Sequence, residues 1–382
     1  MIYLDNNATT RLDPRVLEAM MPFLTDEYAN AASTHPFGLR AHEAVKLARQ
    51  QMSQLLGCEP QEFIFTSGAT EAINLSMKGV VESYASRGKH IVTVQTEHSA
   101  VLDVCRYLET QGCEVTYLPV QPDGLLDLAT VQAAIRPDTI LVSVMLVNNE
   151  TGVIQPIQKI AALAHAAGAL FMTDATQAVG KMPVDVEALG IDLLTCSGHK
   201  LYGPKGVGGL YVRQRKPRRV KLEALLHGGG HERGWRSGTL NVPGIVGLGH
   251  AAELCCQSMK EEAARIGALR DELESGLLTI PGTRVNGNRE HRLYNTTNIL
   301  FQGCDSDAMI MGLEGIAVSN GSACTAASMD PSHVLLAMGL DETDAFSCLR
   351  FSLGRFTKPE DLTHLLKIVA ELINQLRSYI IA

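Results

Sequence analysis

The chain has 382 residues, 46% hydrophobic and 19% charged, with 33 Lys and Arg against 41 Asp and Glu for a net charge of −8. That length and apolar fraction suffice for one large domain plus a smaller one, and an acidic balance with no basic block beyond Arg213–Arg219 argues against a nucleic-acid binder. No apolar run is long enough to span a bilayer, and Met1–Asp5 has neither a basic nor an apolar signal region, so a cytoplasmic protein with no direct membrane or nucleic-acid contact is expected. The nine cysteines are scattered and odd in number, which reads as reduced thiols rather than a disulfide framework.

Residues 1–15 read as an extended arm ending in the polar run Asp5–Thr10, and Pro14 opens a helix with Val16, Leu17, Met20 and Met21 on one face. A second amphipathic helix is predicted over Leu39–Leu56, closed by Gly57. Strand Glu62–Phe65 then leads into Thr66-Ser67-Gly68-Ala69-Thr70-Glu71 at the start of a helix, where free N–H groups favour an anion; Ser67 or Thr70 acting as an ordinary helix cap is the plainer alternative. Strands at His90–Val94, Val115–Leu118, Thr139–Val147, Ala169–Thr173, Ile191–Cys196 and Gly208–Val212 alternate with helices at Ala100–Thr110, Leu128–Ile135 and Ile157–Ala167. The rhythm predicts an α/β fold with a mostly parallel sheet covered on both faces. In such sheets ligands gather beyond the carboxyl ends of the strands, and His98, Asn148, Asp174 and Ser197–Lys200 all follow apolar strands.

The stretch Ser197-Gly198-His199-Lys200 places a lysine beside hydrogen-bonding side chains after a sharp turn. A lysine so held, with an acid such as Asp174 at a neighbouring strand end, suits a Schiff-base cofactor of the pyridoxal phosphate kind. Other motifs carry less. His227 and His231 are separated by glycines that deny them the helix a zinc pair needs, and Gly203-Pro204-Lys205 lacks the Ser or Thr of a P-loop. From about residue 250 the pattern changes to a long charged helix, Ala251–Ile280, read as open to a break. Strands at Asn298–Phe301, Ile316–Val318 and Leu349–Ser352 and a last helix at Leu362–Tyr379 follow. The expected division is an arm (1–15) joining the small domain, a large domain (16–250) and a small α+β domain (251–382).

Taken together, the runs Tyr3–Thr10, Phe65–Glu71, Thr96-Glu97-His98, Val147–Gly152, Asp174–Gln177, Ser197–Lys200, His227–Gly234, Arg236–Thr239, Gly321–Cys324 and Arg350–Arg355 resemble the cysteine desulfurases of the NifS/IscS type, in family order and across nearly the whole chain. The resemblance implies the aspartate-aminotransferase architecture (fold type I), pyridoxal 5'-phosphate as cofactor, and conversion of L-cysteine to L-alanine with a persulfide left on Cys324. It implies that Lys200 carries the cofactor and moves the Cα proton, that Asp174 keeps the pyridine nitrogen protonated, and that Gln177 bonds the phenolic oxygen. Ala69, Thr70, Ser197 and His199 would hold the phosphate, and Thr239 would reach the phosphate of a neighbouring subunit's cofactor in a homodimer. His98 would stack on the ring and transfer protons, and Arg350, helped by Asn148, which would also contact the cofactor, would clamp the substrate carboxylate. No resident metal is implied, Cys324 being at most a transient iron–sulfur ligand. Expected partners are a sulfur-acceptor protein, either an iron–sulfur scaffold or a thiolation relay. Housekeeping members carry a longer tail for docking the scaffold, so the end at Ala382 points to a specialised acceptor. The alternatives are a selenocysteine lyase-like enzyme of the same fold and an inactive sulfur-relay module.

Overall fold

The computed structural model describes residues 1–320 and 330–381, with side chains through Ser378. Its elements are β1 (Ile2–Tyr3), α1 (Pro14–Thr25), α2 (Pro36–Leu56), β2 (Phe63–Thr66), α3 (Ala69–Ser83), β3 (His90–Val94), α4 (Ser99–Thr110) and β4 (Glu114–Leu118). Next come α5 (Leu128–Ala134), β5 (Thr139–Ser143), α6 (Ile157–Ala166), β6 (Leu170–Asp174), β7 (Leu193–Ser197), β8 (Gly208–Val212) and α7 (Val242–Leu277). The chain finishes with β9 (Thr283–Asn286), β10 (Thr296–Phe301), α8 (Ser306–Gly312), β11 (Ile316–Ala317), α9 (His333–Ala337), α10 (Glu342–Ala345), β12 (Cys348–Ser352) and α11 (Pro359–Ile381).

Local chemistry sets the ends. Asp13 accepts from Arg15 N ahead of Pro14, and His35 Nδ1 accepts from Gly38 N ahead of Pro36, so α2 begins three residues earlier than expected. Gly57 closes it at φ 67°. The run expected as one strand to Val147 is strand only to Ser143. Val144 N and Leu146 N still donate to Met172 O and Asp174 O beyond the ladder before the chain turns at Asn148.

The large sheet runs β2-β8-β7-β6-β5-β3-β4. It is parallel except at β8, which pairs antiparallel with both β2 and β7. Side chains alternate across it. Phe63, Phe171, Leu194 and Tyr211 face α1, α2, α5, α6 and the first half of α7, while Ile64, Leu170, Met172, Leu193 and Leu210 face α3 and α4. Gly209 is where β8 meets β2: a Cβ there would lie 1.9 Å from Phe63 Cζ, so only glycine lets the ring cross the strand.

A second core collects the C-terminal half of α7, the antiparallel sheet β12-β10-β9, α8 and α11. The N-terminal arm belongs to it: β1 pairs with β11, and Leu4 is fully buried there. The helix expected from Ala251 and open to a break is instead one helix of 36 residues starting at Val242. Its early turns hold Gly244, Gly247 and Gly249, which lower helix propensity but admit close neighbours. A Cβ on Gly249 would sit 2.5 Å from Ala48 Cα. The expected boundary at 250/251 therefore falls inside a continuous helix that serves both cores.

A Gly209→Ala chain should lose about 1–3 kcal/mol of stability in urea unfolding, and adding Phe63→Leu should return part of that loss; no loss on Gly209→Ala would mean the ring has room to move.

Candidate active site

The carboxyl ends of β2, β3, β6 and β7 open onto one cavity of about 520 Å³, a volume typical of small-molecule sites. After β7, the tight turn Gly198–Lys200 is closed by Leu201 N and Gly203 N donating to Gly198 O. It leaves Lys200 buried, its Nζ donating to Asn7 O at 2.5 Å and Ala8 O at 2.6 Å. Both acceptors belong to the N-terminal arm, which continues along the same turn: Thr10 N and Oγ1 donate to His199 O, and Tyr202 N donates to Thr10 Oγ1.

At the end of β6, Asp174 accepts from Thr176 N at 2.9 Å and Thr195 Oγ1 at 3.3 Å, both on Oδ1. Gln177 follows, its Nε2 donating to Asn7 O at 2.9 Å. On the opposite wall, Gly68 precedes α3 at φ 157°, ψ −179°, a conformation that favours glycine, and the first N–H groups of α3 at Ala69 and Thr70 lie at the cavity with Ser197 and His199. This wall closes because β8 has Gly208, where a Cβ would lie 2.7 Å from Gly68 Cα. His98 caps α4: its Nδ1 accepts from Ala100 N at 3.1 Å, so the ring proton sits on Nε2.

The electrostatics favour an anion. Burial, followed by the charges of Lys200, Lys205 and Lys181, lowers the His199 pKa to about 4, so its ring is a neutral hydrogen-bonding group whose Nδ1 meets Thr9 Oγ1 at 3.1 Å. Burial pushes the Glu97 carboxyl well above the usual range; its Oε1 accepts from Met145 N, which fixes the chain just before His98.

Eight of the expected residues, Ala69, Thr70, His98, Asp174, Gln177, Ser197, His199 and Lys200, thus share the cavity. Asn148 and Arg350 do not line it. Asn148 is spent on its own turn, its Oδ1 accepting from Glu150 N and Thr151 N and its Nδ2 donating to Thr96 O. Arg350 lies behind the wall, donating to Asn149 O at 3.0 Å and Asp5 Oδ1 at 2.7 Å. Thr239 is exposed on the segment after β8, elsewhere on the surface. That segment is fastened by Arg49–Glu232 and Arg236–Glu71 ion pairs. Cys324 lies outside the described residues. The residues flanking it are anchored, with Ser319 bridged to Arg350 and, on the far side, Ser332 bonded to Glu150 and His333 Nε2 2.9 Å from Glu97 O. Sequence reasoning assigned no role to Asn7, Glu97 or Lys181; a lysine inside the apolar run Ala178-Val179-Gly180-Lys181-Met182 was the available signal for the last.

The donor set fits pyridoxal 5'-phosphate: a buried amine for its aldehyde, a carboxylate whose Oδ2 bonds none of the described residues for its ring nitrogen, and a helix N-terminus beside neutral His199 for its phosphate.

Comparison with known proteins agrees with this geometry. The aminotransferase class-V family model matches residues 2–365. A cysteine desulfurase IscS of Anaeromyxobacter dehalogenans (strain 2CP-C) is 53% identical over 378 residues, 98% of this chain and 93% of the relative. Among solved structures, a NifS-like protein superposes with a TM-score of 0.91 at 39% identity, covering 98% of this chain and 99% of its own. SspA in complex with cysteine superposes at 0.82 with 38% identity, covering 94% and 100%. The chain belongs to the class-V aminotransferase family, among its pyridoxal-phosphate-dependent cysteine desulfurases.

Proposed function

We propose that this chain removes sulfur from L-cysteine, releases L-alanine, and passes the sulfur from Cys324 to an acceptor protein in the cytoplasm. The observation that carries the reading is the convergence of Lys200, Asp174 and the start of α3 on one cavity that His98 also lines. The bound cofactor supplies an electron sink for charge developing at the substrate Cα. Asp174 holds the proton on the ring nitrogen, and Lys200 shuttles a proton at Cα. His98 exchanges protons through Nε2, since Nδ1 is engaged by Ala100 N. Cys324 takes up the substrate sulfur: an S–S bond forms, the substrate C–S bond breaks, and the carbon gains the proton that the thiol gave up. A free thiol is only a few per cent ionised at neutral pH, roughly, so proton removal must accompany attack.

Arg350 suits the substrate carboxylate only by exchanging its Asp5 partner for it, a like-for-like replacement of one carboxylate by another. An exposed Thr239 on a segment fastened by two ion pairs supports a homodimer in which it serves the partner's cofactor. The acceptor is an iron–sulfur scaffold or a thiolation relay protein.

Purified protein given L-cysteine and excess reductant should release alanine and sulfide. Cys324→Ala should keep its yellow colour and lose about 100-fold or more of that activity; retained activity would favour a selenocysteine lyase-like enzyme, and a colourless inert wild type a relay module. His98→Ala should cost about 10²–10⁴-fold in kcat, whereas an unchanged rate would remove His98 from proton transfer. In NMR titration of the cofactor-free protein, His199 should titrate near pH 4. Because that folded-state pKa lies below the unfolded value of about 6.5, its contribution to stability is complete above that pH and is lost as pH falls toward 4. His199→Gln should flatten the stability profile over that window.

A further inference from the structure

Behind the cavity, the chain after β6 turns sharply and carries Lys181 inward. The turn needs Gly180 at φ 79°, where a Cβ would meet Cys255 Sγ and Leu201 Cβ at 2.9 Å. Lys181 is 3% exposed. Its Nζ donates to Gln177 Oε1 at 2.7 Å and reaches Asn7 Oδ1 at 3.5 Å, and among the described residues no carboxylate pairs with it. A buried ammonium held only by amide oxygens is costly, and a purely structural position would be better served by an apolar side chain.

Its neighbours make it useful. An amide can flip end for end, and what fixes it is the network around it. Gln177 Nε2 donates to Asn7 O, a carbonyl that can only accept. Lys181 can only donate to Gln177 Oε1 when charged, and when neutral it keeps two N–H groups that can make the same, weaker contact. Both contacts demand the same orientation, with the second N–H of Gln177 left without an acceptor among the described residues, on a residue that lines the cavity. Asn7 is set the same way, its Nδ2 donating to Asn149 O and Thr296 Oγ1 and its Oδ1 accepting from Asn295 Nδ2.

We infer that Lys181 is a positioning residue for the cofactor, acting through Gln177: it pins the amide so that one N–H is always presented to the anionic ring oxygen. The inference rests on the cofactor reading above. The charged groups facing Lys181 are Lys200 from the turn after β7 and Arg350 from β12, with the Cys255 thiol on α7. Burial, followed by the charges of Lys200 and Arg350, lowers its pKa to about 7, with the Cys255 thiol opposing them, so the contact must work in both protonation states, and an N–H is available to it in each.

The test uses the holoenzyme and reads the visible band of the bound cofactor against pH, together with cofactor dissociation. Lys181→Met should raise the midpoint of the band's titration by about one unit, since the ring oxygen loses a donor to its anionic form. It should weaken cofactor retention about ten-fold, the scale of one charge-assisted hydrogen bond. Lys181→Gln, which keeps an N–H donor, should restore most of both. If Lys181 acts through Gln177, Gln177→Met and the Gln177→Met/Lys181→Met pair should agree within about two-fold; this comparison also serves if Lys181→Met alone does not fold. A lower unfolding midpoint with an unmoved band titration, or additive effects in the pair, would overturn the inference. A wild type that binds no cofactor and shows no visible band would overturn the cofactor reading first, and this inference with it.

Discussion

The nitrogen of Lys200 is held between the backbone carbonyls of Asn7 and Ala8, and much of the site depends on that contact. An amine taken out of water must find acceptors, and here they come from an arm whose first strand belongs to the other core. The arm then runs along the turn that carries Lys200, through Thr10 to His199 and Asp13 to Tyr202. One strip of chain thus joins the small core, the reactive lysine and the cap of α1. Arg355 strengthens the far end by bridging Asp13 and Glu262. Buried bridges of this kind add little as intact sets, but losing one partner strands a charge and costs about 3–5 kcal/mol.

The walls that hold the anion and the wall that holds the amine obey different physics. The α3 end works by geometry: Gly68 and Gly208 let backbone approach backbone, so that N–H groups rather than side chains face the cavity. The Lys200 end works by burial and charge: desolvation first, and then three neighbouring cations, keep His199 neutral. A neutral imidazole can still bond a phosphate, without adding to the repulsion that already crowds Lys200 and Lys181.

Much of this was legible in the sequence because strand ends and turn residues are local signals. Asp174 and Ser197–Lys200 follow apolar runs, and β3 and β8 lie where alternation put them. What was not legible depends on distant partners. Asn148 and Arg350 are chemically suited to a substrate, yet the Asn148 amide also donates to Thr96 O, 52 residues away in the chain, and Arg350 donates to Asp5, 345 residues away. The early turns of α7 were hidden by glycines whose low propensity is outweighed by close packing on α1 and α2. Lys181 drew no reading from the sequence, since lysine is usually exposed; the turn at Gly180 carries it inward.

Helix α7 has one further consequence. Its 36 residues form a rod of about 54 Å at 1.5 Å per residue. The first half packs on α1 and α2 in the large core up to Met259, and the second enters the small core at Ile266. Between them the two cores are indexed to each other by helical phase. Deleting a single residue there would turn one core by about 100° and draw it about 1.5 Å closer to the other. That stretch should therefore tolerate changes of residue type far better than any change of length, as the teeth of a gear can be re-surfaced but not removed.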